Sequence, residues 1–376
     1  MNQAKFDTSH RMSPRERVLT ALDHREPDRV PFSWGMGLTR EMWTTLDNYL
    51  TEEGINLRRL QADTEDIRTI FVPYSGPELT PRADIWGIER KRQSYGAGSY
   101  NEIAFYPLAS VKTPAEIEEY PWPDPAAYNY VSLRERLISE DPVSYKARKL
   151  GIDTCGNPFE IYCWMTGLEN ALVNVLLNSE LVHAALEKIT DFFEAKMRRA
   201  LACCGDLIDI CYFADDLGTQ RNLIMSRRTY REVLQPYHRR LFSLARELAP
   251  HASVMMHSDG AVFDILPDLI DAGLDVLEAV QVDADGMDPQ RLKDTYGDQI
   301  CLHGALSVQH LLPHSDKRTV FSECRRLVEI FATGGGYIAA PTHAIQVGTP
   351  PENVLTMLRA VLGEEDYEAA IATARL

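Results

Sequence analysis

The stretch SVMMHSDGAVFDILPDLIDAGLDVLEAV, residues 253–280, predicts the fold of this chain. It begins with a short apolar run at 253–257, continues with a helical period over 262–272, and ends with a second apolar run at 276–280. Two short strands joined by a helix indicate a parallel βαβ unit, because parallel strands need a crossover connection between them.

The same alternation extends over most of the chain. Successive βαβ units indicate either a closed (β/α)8 barrel or an open doubly wound sheet. The open sheet is disfavoured because no GxGxxG phrase follows the first strand. We therefore predict an α/β protein with a single (β/α)8 TIM-type barrel. The predicted strands are 29–34, 150–155, 207–213, 253–257, 276–280, 299–303 and 337–341, and the predicted helices are 168–177, 179–203, 226–249, 262–272, 317–333 and 351–362.

Two segments lie outside this alternation. Segment 1–29 predicts an N-terminal helical extension, because the phrase SPRE at 13–16 combines an N-cap, a proline in the first turn and a glutamate three residues after the cap. Segment 74–125 is rich in proline, glycine and large aromatic residues, which predicts a loop-rich insertion with short strands. We expect residues 1–376 to form one barrel domain that carries both additions.

The composition argues against several kinds of partner. The chain has 376 residues, with 39 Lys+Arg against 55 Asp+Glu and a net charge of −16. Nucleic acids and anionic membranes are poor partners for so acidic a protein, because both attract clustered positive charge. No window approaches the roughly 18 uninterrupted apolar residues of a membrane span, and the first residues lack the apolar core of a signal peptide. We therefore expect a cytoplasmic protein.

The seven cysteines have no CxxC or CxC spacing. Neither a disulfide framework nor a thiolate zinc ribbon is indicated by such a distribution. We expect most of them to be buried thiols in a reducing compartment.

Polar residues follow the predicted strands where the apolar runs end. In a barrel of this kind the C-terminal ends of the strands carry the active site. Histidines and carboxylates that several strands deliver to one rim therefore predict a catalytic site there. The residues in question are Trp34, Asp215, Asp216, His257, Asp259, Gln281, His303 and His343.

Four motifs together resemble those of the uroporphyrinogen decarboxylase superfamily. The resemblance covers the chain from Pro14 to Leu362 and implies a (β/α)8 barrel, in agreement with the alternation of strands and helices. The motifs are RERVL at 15–19 leading to RVPF at 29–32, DDLGTQ at 215–220, the loop His257-x-Asp259-Gly260, and GGYI at 335–338 leading through His343 to TPPEN at 349–353.

The superfamily contains porphyrinogen decarboxylases and cobamide-dependent methyltransferases. The decarboxylases carry an arginine-bearing segment just after the first strand, whereas this chain reads SWGMGL at 33–38 and has no arginine there until Arg40. Their active-site tyrosine corresponds to Trp164, although His343 matches a histidine that they have. A substrate with many carboxylates needs cations to bind it, so the methyltransferase branch is the better match.

Members of the methyltransferase branch hold zinc with a His-x-Cys pair and a distant cysteine. The corresponding residues here are His257, Asp259 and His343, which the resemblance implies as ligands of zinc or another divalent metal. A His, Asp, His set is harder than a set with two thiolates, so it suits an oxygen or nitrogen ligand better than a thiol.

The resulting hypothesis is a metal-assisted methyltransferase. The metal polarises the heteroatom of a methylated small molecule, for example a methoxylated aromatic compound, and a Co(I) corrinoid of the cobalamin type removes the methyl group. No corrinoid-binding DxHxxG phrase occurs in the chain, which fits a separate corrinoid protein as partner. Asp215, Asp216 and His303 are candidates for catalytic proton transfer. The predicted substrate-binding residues are Trp34, Tyr162, Trp164 and Gln281.

Several alternatives stay open. The histidines can be buried core residues, Asp215 and Asp216 can cap a helix, and the aromatic residues can serve packing alone. The chain can instead be a decarboxylase or another lyase that acts on a carboxylated substrate, or a non-catalytic binder of a cobamide or tetrapyrrole. The sequence leaves the methyl donor, the metal and self-association, for example as a homodimer, undetermined.

Overall fold

The computed structural model describes residues 11–80, 83–94, 98–143 and 145–376. Its strands are β1 Ile67–Ile70, β2 Glu89–Ser94, β3 Ser99–Phe105, β4 Ala147–Leu150, β5 Ile210–Ala214, β6 Ser253–His257, β7 Val276–Ala279, β8 Cys301–Leu306 and β9 Tyr337–Pro341. Seven of them form one parallel sheet in the order β1-β4-β5-β6-β7-β8-β9, and β2 pairs with β3 in a separate antiparallel hairpin. The sheet curls as in a TIM-type barrel, as predicted.

Helices connect successive strands of the parallel sheet. They are α1 Pro14–Leu22, α2 Arg40–Glu52, α3 Leu57–Thr64, α4 Pro114–Glu118, α5 Leu133–Glu140, α6 Ile152–Cys155, α7 Pro158–Thr166, α8 Leu168–Leu177, α9 Ser179–Cys204, α10 Arg227–Val233, α11 Gln235–Leu248, α12 Leu266–Ala272, α13 Pro289–Tyr296, α14 Leu311–His314, α15 Lys317–Ala332, α16 Pro351–Leu362 and α17 Glu364–Ala374. Short 3-10 turns occupy Gly205–Leu207 and Phe263–Ile265. Among the described residues no helix is both long and apolar enough to cross a membrane.

The segment around Phe32 lies between the two edge strands of the sheet. Phe32 forms a parallel bridge with Ala339 of β9, whose N–H donates to the carbonyl of Pro31 at 2.9 Å. On the other side, the N–H of Asp66, just before β1, donates to the carbonyl of Phe32 at 2.9 Å. This segment therefore takes the eighth position and closes the barrel.

A buried carboxylate holds this closure. The side chain of Asp66 is only 1% exposed. Its carboxylate accepts hydrogen bonds at 2.8 Å from the N–H of Phe32 and from the guanidinium groups of Arg17 and Arg29. Arg17 comes from α1, so one carboxyl group joins the N-terminal helix, the closing segment and β1. Charge-assisted bonds of this kind are the strong ones in proteins.

Side chains from the parallel strands fill the barrel interior in layers. The lower layer is apolar and includes Val18 of α1, which covers that end of the barrel. The layer above it is polar: His257, Glu278 and His303 lie on β6, β7 and β8 at paired positions of the register. A second, larger apolar cluster packs between the outer faces of the strands and the helices. The interior of such a barrel is normally packed with branched apolar side chains, so this polar layer indicates a functional role.

Several predicted elements are confirmed by the structure. Strands 253–257 and 337–341 and helices 168–177 and 351–362 match the observed bounds. Within 74–125 lie the β2–β3 hairpin and α4, and that this segment is an insertion stays a prediction. Residues 1–10 of the predicted N-terminal extension lie outside the described residues.

Other predictions were wrong. The strand predicted at 150–155 ends at Leu150, and the following residues form the helical turn α6. Strand β4 contains the charged residues Arg148 and Lys149, so it does not stand out as an apolar run in the sequence. The helix predicted over 226–249 is two helices that meet at Leu234, because Pro236 in the first turn of α11 cannot continue the preceding hydrogen-bond ladder. Strand β1 was missed because its four residues include Arg68 and Thr69.

We expect Asp66→Asn to lower the free energy of unfolding by about 3 kcal/mol, because it removes the buried negative charge that pairs with both Arg17 and Arg29, which retain Asp28 and Asp366 as partners. Urea denaturation followed by circular dichroism measures the change. Asp23→Asn is the matched control, since Asp23 and its partner Arg25 are both about two thirds exposed; it should change stability by less than about 1 kcal/mol. Equal effects of the two substitutions would contradict the role of Asp66.

Candidate active site

Two loops at the C-terminal ends of β5 and β6 pack backbone against backbone. A Cβ at Gly218 would meet the carbonyl oxygen of Asp259 at 2.6 Å, and a Cβ at Gly260 would meet that of Thr219 at 2.5 Å. Gly260 also has a φ of +89°, which side chains rarely adopt. Glycine at these two positions lets the loops approach closely, and the approach brings Asp216 next to Asp259.

Asp216, His257 and Asp259 form a compact group, which we call the rim cluster. Nε2 of His257 lies 3.7 Å from Asp216 Oδ1 and 3.8 Å from Asp259 Oδ1. One ligand atom from each of the three residues lies within 4.8 Å of the other two. Asp216 Oδ1 also accepts a 3.0 Å hydrogen bond from the N–H of Asp259. One nitrogen and two oxygens arranged in this way fit a divalent metal ion.

The opposite side of the His257 ring faces a buried glutamate. Nδ1 of His257 lies 3.6 Å from Glu278 Oε2, and Glu278 is 2% exposed. Burial by itself would lower the pKa of His257, but Glu278 and the two aspartates outweigh it and raise that pKa to about 10. Burial opposes ionisation of Glu278 as well, yet His257, His303 and Lys149 hold the pKa of Glu278 well below its usual range.

His303 lies below the rim cluster, inside the barrel. It is fully buried, and its Nδ1 lies 3.9 Å from Glu278 Oε1. Neither ring nitrogen has a hydrogen-bond partner in the described part of the chain. Burial lowers the pKa of His303 to about 4 despite the nearby Glu278. The catalytic role predicted for His303 stays a prediction.

His343 lies beside the rim cluster but is not one of its three members. Its ring centroid is 6.3 Å from that of His257, with the planes at 60°. The loop after β9 therefore does meet the loop after β6, as the sequence predicts. The sequence predicts His343 as the third ligand beside His257 and Asp259, whereas in the structure the third member of the rim cluster is Asp216.

Asp215 has the contacts of a structural residue. It is fully buried, and its Oδ1 accepts from the N–H of Glu160 at 2.7 Å in the first turn of α7. Its Oδ2 lies 2.8 Å from Nε2 of His238, whose Nδ1 lies 2.9 Å from the hydroxyl of Tyr230. Both carboxylate oxygens are thus used within the fold, so the structure favours the helix-capping alternative over the catalytic role expected for Asp215.

The predicted substrate-binding residues are mostly buried in packing contacts. Trp34 donates from Nε1 to the hydroxyl of Thr64 at 3.0 Å, and the buried Tyr162 accepts from Asn174 at 3.1 Å. Gln281 accepts from the N–H of Gly260 at 2.8 Å, so it holds the loop that carries Asp259. Trp164 alone of these four is half-buried, with the guanidinium of Arg90 5.4 Å from its ring centroid.

Two acidic residues at the site were missed by the sequence analysis. Glu278 lies inside the predicted strand 276–280, three residues before Gln281, and Glu160 lies in the apolar helix α7, from which the sequence analysis selected only Tyr162 and Trp164. An ionisable residue inside an otherwise apolar strand is a usable signal, because such residues are rarely buried without a partner. Glu278 carries that signal in the phrase DVLEAV at 275–280.

The fold and the site define an α/β-barrel enzyme whose candidate metal ligands follow two neighbouring strands. The chain belongs to the uroporphyrinogen decarboxylase family: the sequence profile described as Uroporphyrinogen decarboxylase (URO-D) matches residues 108–363, more than half of the chain.

Comparison with solved structures gives matches at low sequence identity. A methyltransferase from Methanosarcina mazei matches with a TM-score of 0.61 and 18% identity over 93% of this chain and 98% of its own. A GH10 xylanase from termite gut reaches a TM-score of 0.42 at 8% identity, over 82% of this chain and 72% of its own. An endo-1,4-beta-xylanase from Caldicellulosiruptor owensensis reaches 0.30 at 13% identity, over 46% and 69%. The two xylanase likenesses are too weak to carry an argument. Comparison with curated proteins finds no match.

The two neighbouring aspartates should respond differently to the same substitution. We expect Asp215→Asn to lower the free energy of unfolding by roughly 3 kcal/mol, because it disturbs a buried pair and a helix N-terminus. Asp216→Asn should change it by less than about 1 kcal/mol, since that side chain is 44% exposed. Urea titrations of both variants measure the difference. Similar losses in the two variants would show that Asp216 also supports the fold.

Proposed function

We propose that this protein is a metal-assisted methyltransferase of the cobamide-dependent branch of its family. The observation that carries the proposal is the rim cluster, in which Asp216, His257 and Asp259 present their ligand atoms to one point. The fold shared with the methyltransferase from Methanosarcina mazei supports the same branch.

The donor set suits zinc or another divalent metal. Oδ1 of Asp259 is buried and has no hydrogen-bond partner among the described residues, which fits an atom placed to bind a cation. A bound ion would act as a Lewis acid on the oxygen or nitrogen that carries the methyl group of the substrate. Two carboxylates and one imidazole favour such hard ligands over a thiol.

The residues around the rim cluster hold it in place. Glu278 faces Nδ1 of His257, which leaves Nε2 directed toward the two aspartates. Carboxylates in this position commonly orient the histidine ligands of metal sites. Gln281 holds the Asp259 loop through the N–H of Gly260. Both are positioning residues, and neither needs to touch the substrate.

The substrate in this proposal is a small methylated molecule, with methoxylated aromatic compounds as the first class to test. The methyl group passes to a reduced corrinoid that a separate protein carries. The half-buried Trp164, whose ring also lies 5.4 Å from the guanidinium of Arg90, is the aromatic residue to test for contact with such a substrate.

The decarboxylase alternative has less support from the site. Asp216, Asp259 and Glu278 all lie near His257, and their negative charge would repel the carboxylates of a porphyrinogen. A substrate with several carboxylates is normally held by arginines, and Arg40 is exposed outside this cluster.

We expect the metal-free protein to bind about one equivalent of a divalent ion at the rim cluster. Asp216→Asn and His257→Gln should each weaken binding at least tenfold, the lower end of the roughly 10–100-fold range seen when even indirect contacts to a metal are lost. Isothermal titration with zinc, manganese and iron(II) measures the affinity, and methyl transfer from methoxylated aromatics to reduced cobalamin measures the activity.

Asp285→Asn is the matched control, because Asp285 is an exposed carboxylate on the next loop of the same rim. His343→Gln tests whether the residue beside the cluster contributes at all. Methyl transfer that persists in full after removal of the metal, or turnover of a carboxylated compound without any corrinoid, would contradict the proposal.

A further inference from the structure

Glu160 lies in the first turn of α7, at the same rim as the cluster. Its N–H donates to Asp215 Oδ1 at 2.7 Å, and Asp215 is the chain neighbour of Asp216. Nδ2 of Asn157 donates to Glu160 Oε2 at 2.9 Å. Backbone and side chain are therefore both oriented, while the half-buried carboxyl group keeps Oε1 free of hydrogen bonds from the described part of the chain.

Glu160 lies on the part of α7 that contacts the end of β5, through Asp215. Cys163, three residues further along the helix, lies on the same face and is buried. Besides burial, the carboxylates of Asp215, Glu160 and Asp216 raise the pKa of the Cys163 thiol. The hydrogen bond from Glu160 N–H to Asp215 and the one from Asn157 to Glu160 Oε2 thus hold this residue beside the chain segment that carries Asp216.

The surroundings of Glu160 keep a proton on it near neutral pH. Burial, with the charges of Asp216 and Asp215 after β5, raises the pKa of Glu160 to about 7, against the opposing effects of Asn157 and of His257 on β6. An ordinary glutamate has a pKa of about 4.3. An acid with a pKa near the working pH is the most effective proton donor in catalysis.

We propose that Glu160 is the catalytic proton donor of the methyl transfer, a role that rests on the proposed function. The bond between the methyl carbon and its oxygen or nitrogen breaks, and its electron pair stays on the heteroatom, which takes the proton of Glu160. A new bond forms between the methyl carbon and the nucleophilic acceptor, a reduced corrinoid. Glu160 is left as a carboxylate and regains its proton from water.

The other acids near the site suit this role less well. Both oxygens of Asp215 are engaged within the fold, and His303 is fully buried below the cluster. Asp216 belongs to the group of candidate ligands. Glu160 is thus the acid at this rim that combines an oriented carboxyl group with access to the site.

The test compares two methyl donors that differ in their leaving group. Parent and Glu160→Gln proteins are assayed for methyl transfer to reduced cobalamin from methyl phenyl ether and from its 4-nitro derivative. We expect the variant to lose about 10²–10⁴-fold on the phenyl ether, because the basic phenolate needs a proton as it leaves. On the nitro compound, whose leaving group is weakly basic, the loss should be less than about tenfold.

Two controls accompany the assay. Cys163→Ala, on the same face of α7, should change both rates by the same small factor. Zinc affinity of Glu160→Gln should stay within about threefold of the parent, since an indirect metal contact would cost about 10–100-fold. Equal losses on both ethers overturn the proton-donor role, and a large loss of zinc affinity overturns it in favour of a ligand role. A parent that transfers methyl from neither ether overturns the proposed function for aryl ethers and this role with it.

Discussion

The carboxylate of Asp66 holds together the parts on which the barrel depends. It accepts hydrogen bonds from the N–H of Phe32 in the closing segment and from two arginines, one of them on α1. The backbone N–H of Asp66 in turn donates to the carbonyl of Phe32. These bonds join the segment around Phe32 to the start of β1, on the side opposite its bridge to β9. A closed barrel needs both edges paired, because an open edge leaves backbone groups unsatisfied.

Closure of the barrel gives the polar side chains of the interior their arrangement. Parallel pairing of β6, β7 and β8 places His257, Glu278 and His303 side by side, because each is registered with the next. A carboxylate between two imidazoles in a low-dielectric interior stays ionised and keeps its nearer histidine protonated or bound to a cation. The rim cluster is built directly on this buried layer, through His257.

The site is acidic, and its acidity limits what it can bind. Asp216 and Asp259 come together because Gly218 and Gly260 permit the backbones of two loops to touch. Two carboxylates at this separation repel each other unless a cation or a protonated imidazole stands between them. Burial and the nearby negative charges of Asp216 and Asp215 also raise the pKa of Glu160, so it retains its proton to higher pH. The proposed metal site and the proposed proton donor thus both rest on one concentration of negative charge.

The sequence by itself determined the class of fold and the strands that carry the site. Periodicity in 253–280 was sufficient for a βαβ unit, since local hydrogen bonding and burial impose periods of two and 3.6 residues on any strand and helix. Its repetition along the chain, without a GxGxxG phrase, favoured the barrel over an open sheet. It also identified His257 and Asp259, which share one loop. Only the tertiary structure decided that Asp216 joins His257 and Asp259 in the rim cluster, while Asp215 contacts the buried His238. The two aspartates are adjacent in sequence, and the direction of each side chain depends on packing against distant elements. Glu160 lies at the site for the same reason, because contacts between distant elements bring it there. Glu278 leaves a local signal as a lone acid in an apolar run, but its position beside His257 depends on the pairing of β6 with β7.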